Sequence, residues 1–494
     1  MFSDHASDSG GIMVSKEIVI QPVTRIEGDA KVVIKLDDNG NVTDARMHTL
    51  ELRGFEQFCI GRPVEELPLI MTRICGVCPW AHHIASAKAT DGVFGVTPPE
   101  TGRKLRELAY LGDKVMDFVL HFYILSGPDF VMGPDADYTT RNVIGILKAN
   151  PDLAKKVIHH HHLAHKMVEM ISGRRIHPVA AVPGGWTKPL KPEERDKALP
   201  MAKELLDFAT FTMNLAKESI FPKYLDLVKS LAVIKTSFLG LVTPDGTHTF
   251  YDGKLRMMQP DGSYEDYSPE NYLDVIAEHI EPWTYLKFPY YKKAGKLVMD
   301  PDNPVGVYRV NTLARINVSD RMATPLAQKE LDEFRKLFGR PVQQTLLYHW
   351  ARLIELVECA ERTVNLLEDP EITSENTRVP VMPRAGRGIG VVEASRGTLI
   401  HDYETDENGI TKDVNLIVAT GQNHAAINMS IMKAAKDLIK GGKYDQGILN
   451  RIEMVIRPYD PCLSCATHNL SGRIALRLDI VDADGKVIDT IVNY

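Results

Sequence analysis

Apolar residues recur three or four places apart through Leu105, Leu108, Leu111, Val115, Val119, Phe122 and Leu125, between Pro99 and the Gly127-Pro128 pair. That period predicts a long amphipathic helix with a proline at its start and a Gly-Pro stop. The same spacing, interrupted by Gly and Pro, predicts further helices at 141–172, 192–230, 324–368 and 421–441. A period of two marks the amino-terminal part instead: Glu17 to Gln21, Ala30 to Leu36 and Val42 to Leu50 alternate with β-branched residues. The Asp37-Asp38-Asn39-Gly40-Asn41 cluster between the last two reads as a hairpin turn. The stretch 240–304 is rich in Tyr, Asp, Gly and Pro, alternates weakly, and predicts a β-containing excursion. The expected fold class is α+β, mainly helical. With no internal repeat or low-complexity linker, 17–468 reads as a single interlocked body, and the polar residues 1–16 read as a disordered leader in which Met13 is an alternative start.

At 494 residues the length would allow about three domains. A composition of 44% hydrophobic and 25% charged residues is ordinary for a globular chain, and the net charge of -7 leaves no footprint for nucleic acid. There is no run of about 18 apolar residues and no apolar signal core near the start, so no membrane span is expected and the compartment is read as the cytoplasm. The 6 cysteines are too few and too unevenly spread for a disulfide framework, which fits a reducing compartment.

Four of those cysteines form two pairs, Cys75-Gly76-Val77-Cys78 and Cys462-Leu463-Ser464-Cys465, followed closely by His82 and His468 respectively. A set of four thiolates suits zinc, iron or nickel, and by themselves the two pairs read most simply as a structural zinc site. Cys59 and Cys359 stand alone. Taken singly, Glu27 and Arg396 read as ordinary surface and structural residues. The run His159 to His162 with His165 lies in an amphipathic helical stretch and reads as a solvated or partly packed face rather than a metal site. His177, beside Pro178, reads as packed at a turn. Neither Ser172-Gly173-Arg174 nor Arg384-Ala-Gly-Arg-Gly388 forms a phosphate loop of the GxGxxG kind, so no nicotinamide or flavin site is expected in this chain.

Several motifs together change the zinc reading. Arg73-Ile-Cys75-Gly-Val-Cys78 with His82, and Asp460-Pro-Cys462-Leu-Ser-Cys465-Ala-Thr-His468, resemble the paired signature of nickel-iron hydrogenase large subunits. Pro22-Val-Thr-Arg25-Ile-Glu27-Gly28, Arg53-Gly-Phe-Glu56, Gly173-Arg-Arg-Ile-His177-Pro178 and Glu393-Ala-Ser-Arg396-Gly397 resemble further motifs of that family, in its order, so the likeness spans about 18–468. The wording, Thr420-Gly-Gln-Asn423 included, is most similar to the cytoplasmic multisubunit branch, with its heterodisulfide-reductase-linked (deazaflavin-non-reducing) and NAD(P)-linked types.

The resemblance implies a central helical bundle with small peripheral sheets and the reversible reaction H2 ⇌ 2 H+ + 2 e−. Heterolytic cleavage calls for a soft redox metal and a base beside it. By resemblance, Cys75 and Cys462 hold nickel terminally, while Cys78 and Cys465 bridge nickel to an iron carrying carbonyl and cyanide. Glu27 is the first proton relay after Cys462, and Arg396, held by Asp117 and Asp460, sits over the metals. Glu56 and His468 contribute to a magnesium (or iron) site, and His82 supports a cysteine sulfur. Two departures stand out: Asp29 where the family motif has histidine, and Ser395 where it has proline.

An iron-sulfur relay needs about four cysteines per cluster, and only Cys59 and Cys359 remain. The expected partners are therefore an iron-sulfur small subunit, further flavin or iron-sulfur electron-transfer subunits, a maturation endopeptidase and nickel-insertion proteins. The alternative readings are a zinc-stapled scaffold and a hydrogen-sensing subunit; the final acceptor, NAD(P) with or without ferredoxin, a heterodisulfide or a deazaflavin, stays open. Residues 469–494 read as a maturation tail cut after His468, in which Ile474 to Val481 and Val487 to Val492 flank Asp482-Ala-Asp-Gly485 as a hairpin. Intact mass of the active enzyme should end the chain at His468; active protein ending at Tyr494 would defeat that expectation.

Overall fold

The computed structural model describes residues 16–49, 51–467, 476–482 and 486–493, so His468 and all of the expected leader except Lys16, which opens the first strand, lie outside the described residues. The predicted helices form, and all but the last are divided where local chemistry demands it. The first runs over Glu100–Val119, widens into a π-type turn at Leu120–Ser126 and continues as Gly127–Val131. The 141–172 stretch becomes Val143–Ala149 and Pro151–Ser172. The break falls at Asn150, whose side chain accepts the Leu153 N–H at 3.1 Å, next to Pro151, which has no N–H to continue the first helix. The 192–230 stretch is Pro192–Leu215, a π-type turn at Ala216–Ile220, and Phe221–Ser230. Gly339 and Pro341 separate Pro325–Phe338 from Tyr348–Glu368, and Ala419–Leu438 answers the last prediction.

Tyr348–Glu368 packs against both Glu100–Val119 and Pro192–Leu215, and Pro151–Ser172 packs against the same two helices. This bundle is the centre of an α+β fold with small separate sheets around it. Lys16–Ile20, Ala30–Leu36 and Val42–Thr49 form one antiparallel sheet in that order. Its expected turn closes with Asp37 accepting the N–H groups of Gly40, Asn39 and Asn41. The 240–304 excursion supplies Lys254–Met258, which pairs with Ser237–Val242 on one side and Tyr264–Tyr267 on the other, and a separate ribbon of Ile276–Ile280 with Lys287–Tyr291. Leu476–Val481 and Val487–Asn493 pair as the expected tail hairpin. Among the described residues no helix is long and apolar enough to cross a membrane.

Two of the elements that the pattern of apolar positions missed pack on each other. One is the helix Pro79–Phe94, in which every residue except Lys88 and Gly92 is buried. A helix covered on all sides has no apolar stripe to betray its period. The other is the sheet of Gly386–Ala394, Gly397–Thr405 and Thr411–Ile417. Its first strand carries glycine at alternate positions, which weakens any strand signal.

Those glycines have a packing reason. A Cβ added at Gly386, Gly388 or Gly390 would lie 2.5, 2.0 or 1.9 Å from the carbonyl oxygen of Val93, Ala89 or Ala85. Four helix residues rise about 6 Å and two strand residues about 6.7 Å, so one glycine meets each helical turn as the two run antiparallel. The glycines rejected as a phosphate loop thus let a helix backbone lie directly on a strand. Gly390→Ala should lower stability by about 3 kcal/mol and loosen the segment that begins at Cys78, read as a lower denaturation midpoint and reduced metal content.

Candidate metal centre

Cys75 follows the short turn Met71–Ile74 in extended backbone, and Cys78 caps the Pro79–Phe94 helix. Cys462 caps the one-turn helix Leu463–Ala466, which carries Cys465. The fold brings these two loops into contact across 387 residues of chain: Cys75 Sγ lies 3.3 Å from Cys462 Sγ, and Cys78 Sγ lies 3.2 Å from Cys465 Sγ. Cys462 and Cys465 are 2.8 Å apart, Cys78 and Cys462 3.9 Å, and all four sulfurs are buried.

The carboxy-terminal loop is held on three sides. Glu27 pairs with Cys462 as a parallel bridge, its N–H donating to Pro461 O at 3.2 Å and its carbonyl accepting Leu463 N–H at 3.0 Å. Arg53 donates from its backbone to Thr467 O at 2.8 Å, and its Nη1 reaches both Ser464 O and Ile74 O, so one guanidinium brackets both cysteine loops. Thr420 Oγ1 accepts the Cys462 N–H at 3.1 Å. Arg53 stood in a quoted motif with no role, and Thr420 likewise; only the tertiary register shows what they do.

The donor set fits metal and fits poorly without it. Burial drives the Cys462 and Cys465 thiols well above the ordinary thiol range, whereas hydrogen bonds from Cys462, Cys465 and Cys78 hold Cys75 well below it. Four thiolates therefore coexist here only around a cation. Sulfurs around a single tetrahedral ion with bonds of about 2.3 Å stand roughly 3.7 Å apart, and three of the gaps here are tighter than that. A cavity of about 10 Å³, roughly one water, adjoins Cys78, Cys462 and Cys465 and is walled by Leu399, Thr420 and Arg396.

His82 Nε2 lies 3.4 Å from Cys465 Sγ, and its Nδ1 lies 3.1 Å from His401 Nε2. His401 Nδ1 in turn meets Tyr403 Oη at 2.6 Å, and that hydroxyl lies 2.9 Å from Ser86 Oγ. Burial pushes His82 down to about 4, so the ring is neutral at neutral pH. His401 and Tyr403 belong to the Gly397–Thr405 strand that the pattern did not reveal, so nothing in the sequence pointed to them.

Arg396 is buried against two carboxylates. Its Nη1 and Nη2 donate to Asp117 at 3.0 and 3.3 Å, and Nη2 also donates to Asp460 Oδ1 at 3.0 Å. Asp460 adopts φ 52, a left-handed conformation uncommon outside glycine. A second charged cluster stands behind it. Asp129 receives Arg25, Arg141 and Arg457 at 2.5, 2.6 and 2.9 Å, and Arg457 also meets Glu453 at 2.7 Å. Burial alone would raise the Asp129 carboxyl, but the arginines, Arg457 foremost, hold it well below the usual carboxylate range. The cluster ties the segment carrying Glu27 to the segment carrying Asp460.

Glu27 is half-buried, and its Oε2 accepts Ser464 N–H at 3.1 Å. Asp29 is exposed; its N–H donates to Glu51 Oε1 at 3.1 Å, while Glu51 Oε2 accepts Ser464 Oγ at 3.3 Å, so Glu51 bridges the two loops where the motif departs from the family. Ser395 is buried, with its carbonyl 3.4 Å from Arg315 Nη2. Glu56 is buried, with Oε1 accepting Leu416 N–H at 2.9 Å and lying 3.5 Å from Lys287 Nζ. Burial, more than Lys287 offsets, pushes its carboxyl up to about 7. It opens on a polar cavity of about 280 Å³ shared with Glu278, Lys287, Arg387 and Asp402. His468, its expected companion, lies outside the described residues. His177 sits at a turn with φ 52 and Nδ1 2.9 Å from Thr72 O. Burial raises the Cys59 thiol to about 12 and Cys359 well above its ordinary range, which leaves both unreactive.

Residues 53–162 and 240–468 match the family described as nickel-dependent hydrogenase, and residues 17–52 match one described as HoxL-like. The chain is 48% identical over 425 residues to an F420-non-reducing hydrogenase vhu subunit of Methanocaldococcus jannaschii, covering 86% of this chain and 100% of that protein. It is 38% identical over 495 residues to the NAD-reducing hydrogenase HoxS subunit beta of Cupriavidus necator, covering 96% and 99%. Among solved structures, an NAD+-reducing [NiFe]-hydrogenase in the H2-reduced state superposes with a TM-score of 0.86 at 39% identity, over 92% of this chain and 99% of that one.

The buried Arg396 cluster makes a direct prediction. Arg396→Met leaves Asp117 and Asp460 as facing carboxylates without a counterion and should lower stability by about 3–5 kcal/mol in urea denaturation. Removing a carboxylate as well, in Arg396→Met/Asp117→Leu, should recover part of the loss. A double variant no more stable than the single one would show that the ion pair is not what the arginine contributes.

Proposed function

From the premise that the chain belongs to the nickel-dependent hydrogenase family, as an oxidoreductase acting on H2, we propose how its residues divide the work of the catalytic large subunit. It cleaves H2 reversibly into protons and electrons in a cytoplasmic multisubunit complex. The observation that carries this reading is the closed cluster of four buried sulfurs with the Arg396 guanidinium walling the cavity beside it.

The four thiolates would hold the nickel-iron centre, Cys75 and Cys462 serving nickel and Cys78 and Cys465 serving both nickel and an iron that would carry carbonyl and cyanide. Bound there, the nickel-iron centre supplies a soft two-metal redox site that takes up the electrons of H2. Every other part of the task falls to the protein. Cys462 Sγ receives the proton, and Glu27, bridged backbone to backbone with Cys462, takes it onward. Arg396, fixed by Asp117 and Asp460, presents an immobile positive charge at the cavity wall. His82 supports Cys465 by a hydrogen bond from its neutral ring, the orienting role that a partner of a metal-bound ligand plays. Glu56 and His468 would hold a magnesium or iron ion, and residues 469–494 would be cut away once the centre is in place.

Electrons leave through a partner, because Cys59 and Cys359 are separately buried and cannot hold a cluster. The receiving subunit is an iron-sulfur small subunit, followed by flavin or iron-sulfur subunits. Two of the relatives described above are named F420-non-reducing and NAD-reducing, which speaks against a deazaflavin and supports NAD(P), with or without ferredoxin, as the acceptor, a heterodisulfide being the alternative.

Infrared spectra of the purified complex should show metal-bound carbonyl and cyanide bands. Glu27→Gln should keep those bands and the nickel content while turnover with an artificial acceptor falls by about 10² to 10⁴. A processed chain that carries zinc and shows no such bands would overturn the reading.

A further inference from the structure

Outside the four-cysteine centre, one other group of side chains among the described residues converges as metal ligands do. His159 and His160 on the Pro151–Ser172 helix face Glu204 on the Pro192–Leu215 helix, with ligand atoms all within 4.8 Å of one another. His159 Nε2 lies 2.8 Å and His160 Nε2 3.6 Å from the same oxygen, Glu204 Oε1. Ligands on one zinc-like ion with bonds of about 2.0–2.1 Å stand roughly 3.0–3.4 Å apart, so the two gaps bracket the spacing an ion would set.

The His160 ring is built in rather than loosely placed. It is buried, stacked on Phe208 at 4.0 Å with planes 10° apart, and its Nδ1 donates to Lys156 O at 2.7 Å. A histidine that gives its other ring N–H to a carbonyl is the common arrangement of a metal-bound imidazole, because that bond fixes tautomer and orientation. In the neutral ring it also leaves the unprotonated Nε2 3.6 Å from a carboxylate oxygen, two acceptors with no proton between them. A cation resolves that conflict. His159 and Glu204 are about half exposed, which gives an ion its entry path and leaves positions for water.

We propose that His159, His160 and Glu204 form a second metal site, binding a divalent transition ion of the zinc class and tying the two helices together. Two imidazoles and a carboxylate give one negative charge to a doubly charged ion, a donor set that suits zinc and its neighbours better than magnesium or calcium. The histidine run therefore holds more than a solvated face. Its other close pair, His161 and His165, has rings 4.6 Å apart on the same helix and is the natural competitor for the ion.

The test uses the intact complex, dialysed against a weak chelator that leaves the buried centre in place, then titrated calorimetrically with Zn2+ and followed optically with Co2+. One ion per chain should bind, and its affinity should fall by at least about tenfold in His160→Ala and in Glu204→Gln. His162→Ala, an exposed neighbour in the run, should bind as the parent does, and hydrogen turnover should be unchanged in all three. No binding by the parent, or equal affinity in Glu204→Gln, overturns the proposal. Loss of binding in His161→Ala/His165→Ala with retention in Glu204→Gln would place the ion on the competing pair and overturn it too.

Discussion

Four thiolates cannot share a dry volume a few ångströms across without a cation among them, and the rest of the structure answers to that constraint. The sulfurs come from loops 387 residues apart, so neither loop can form the site alone. Arg53 clasps both loops, Glu27 is laid beside Cys462 as a strand beside a strand, and the Pro79–Phe94 helix is pressed onto a glycine-bearing strand beneath. Each device removes freedom from a sulfur, so the separations among the four are set by the protein rather than by whatever enters.

Charge around the centre follows the same logic at longer range. Arg396 is compensated by two aspartates, and the Arg25, Arg141 and Arg457 cluster converges on Asp129 with Glu453 in support. Buried ion pairs of this kind contribute little net stability, since desolvation offsets most of their attraction. What they supply is position: a guanidinium held by forked bonds to fixed carboxylates cannot swing away from the cavity it faces.

Pro325–Phe338 was legible in the sequence because its burial is one-sided, with Ala327, Leu331 and Phe334 facing inward; Glu100–Val119 is buried almost throughout, and was legible because polar residues such as Arg106, Asp113 and Asp117 keep its apolar period distinct. Pro79–Phe94 was not, since small and apolar residues run round the whole of it and leave no period to read. The Gly386–Ala394 strand hid behind its glycines, whose purpose appears only when the helix above is in place. At the site, cysteine pairs announce four-thiolate chemistry by spacing, whereas the meeting of Asp117, Arg396 and Asp460 depends on tertiary register. Spacing alone supports no more than a four-thiolate metal site; the roles of Glu27 and Arg396 came from resemblance. Thr420 stood in a motif without a role, and His401 and Tyr403 carried no signal of either kind, because an imidazole or a hydroxyl inside a strand looks like any other.

The bridge between Glu27 and Cys462 also sets a clock during synthesis. A ribosome adding about 5–20 residues per second needs roughly 20–80 s to travel from the first cysteine pair to the second. Throughout that interval Cys75 and Cys78 are a bare dithiol on a nascent chain, able to oxidise to each other or to take up the wrong ion. The cell must keep half of the centre reduced and unclaimed until the other half has been made.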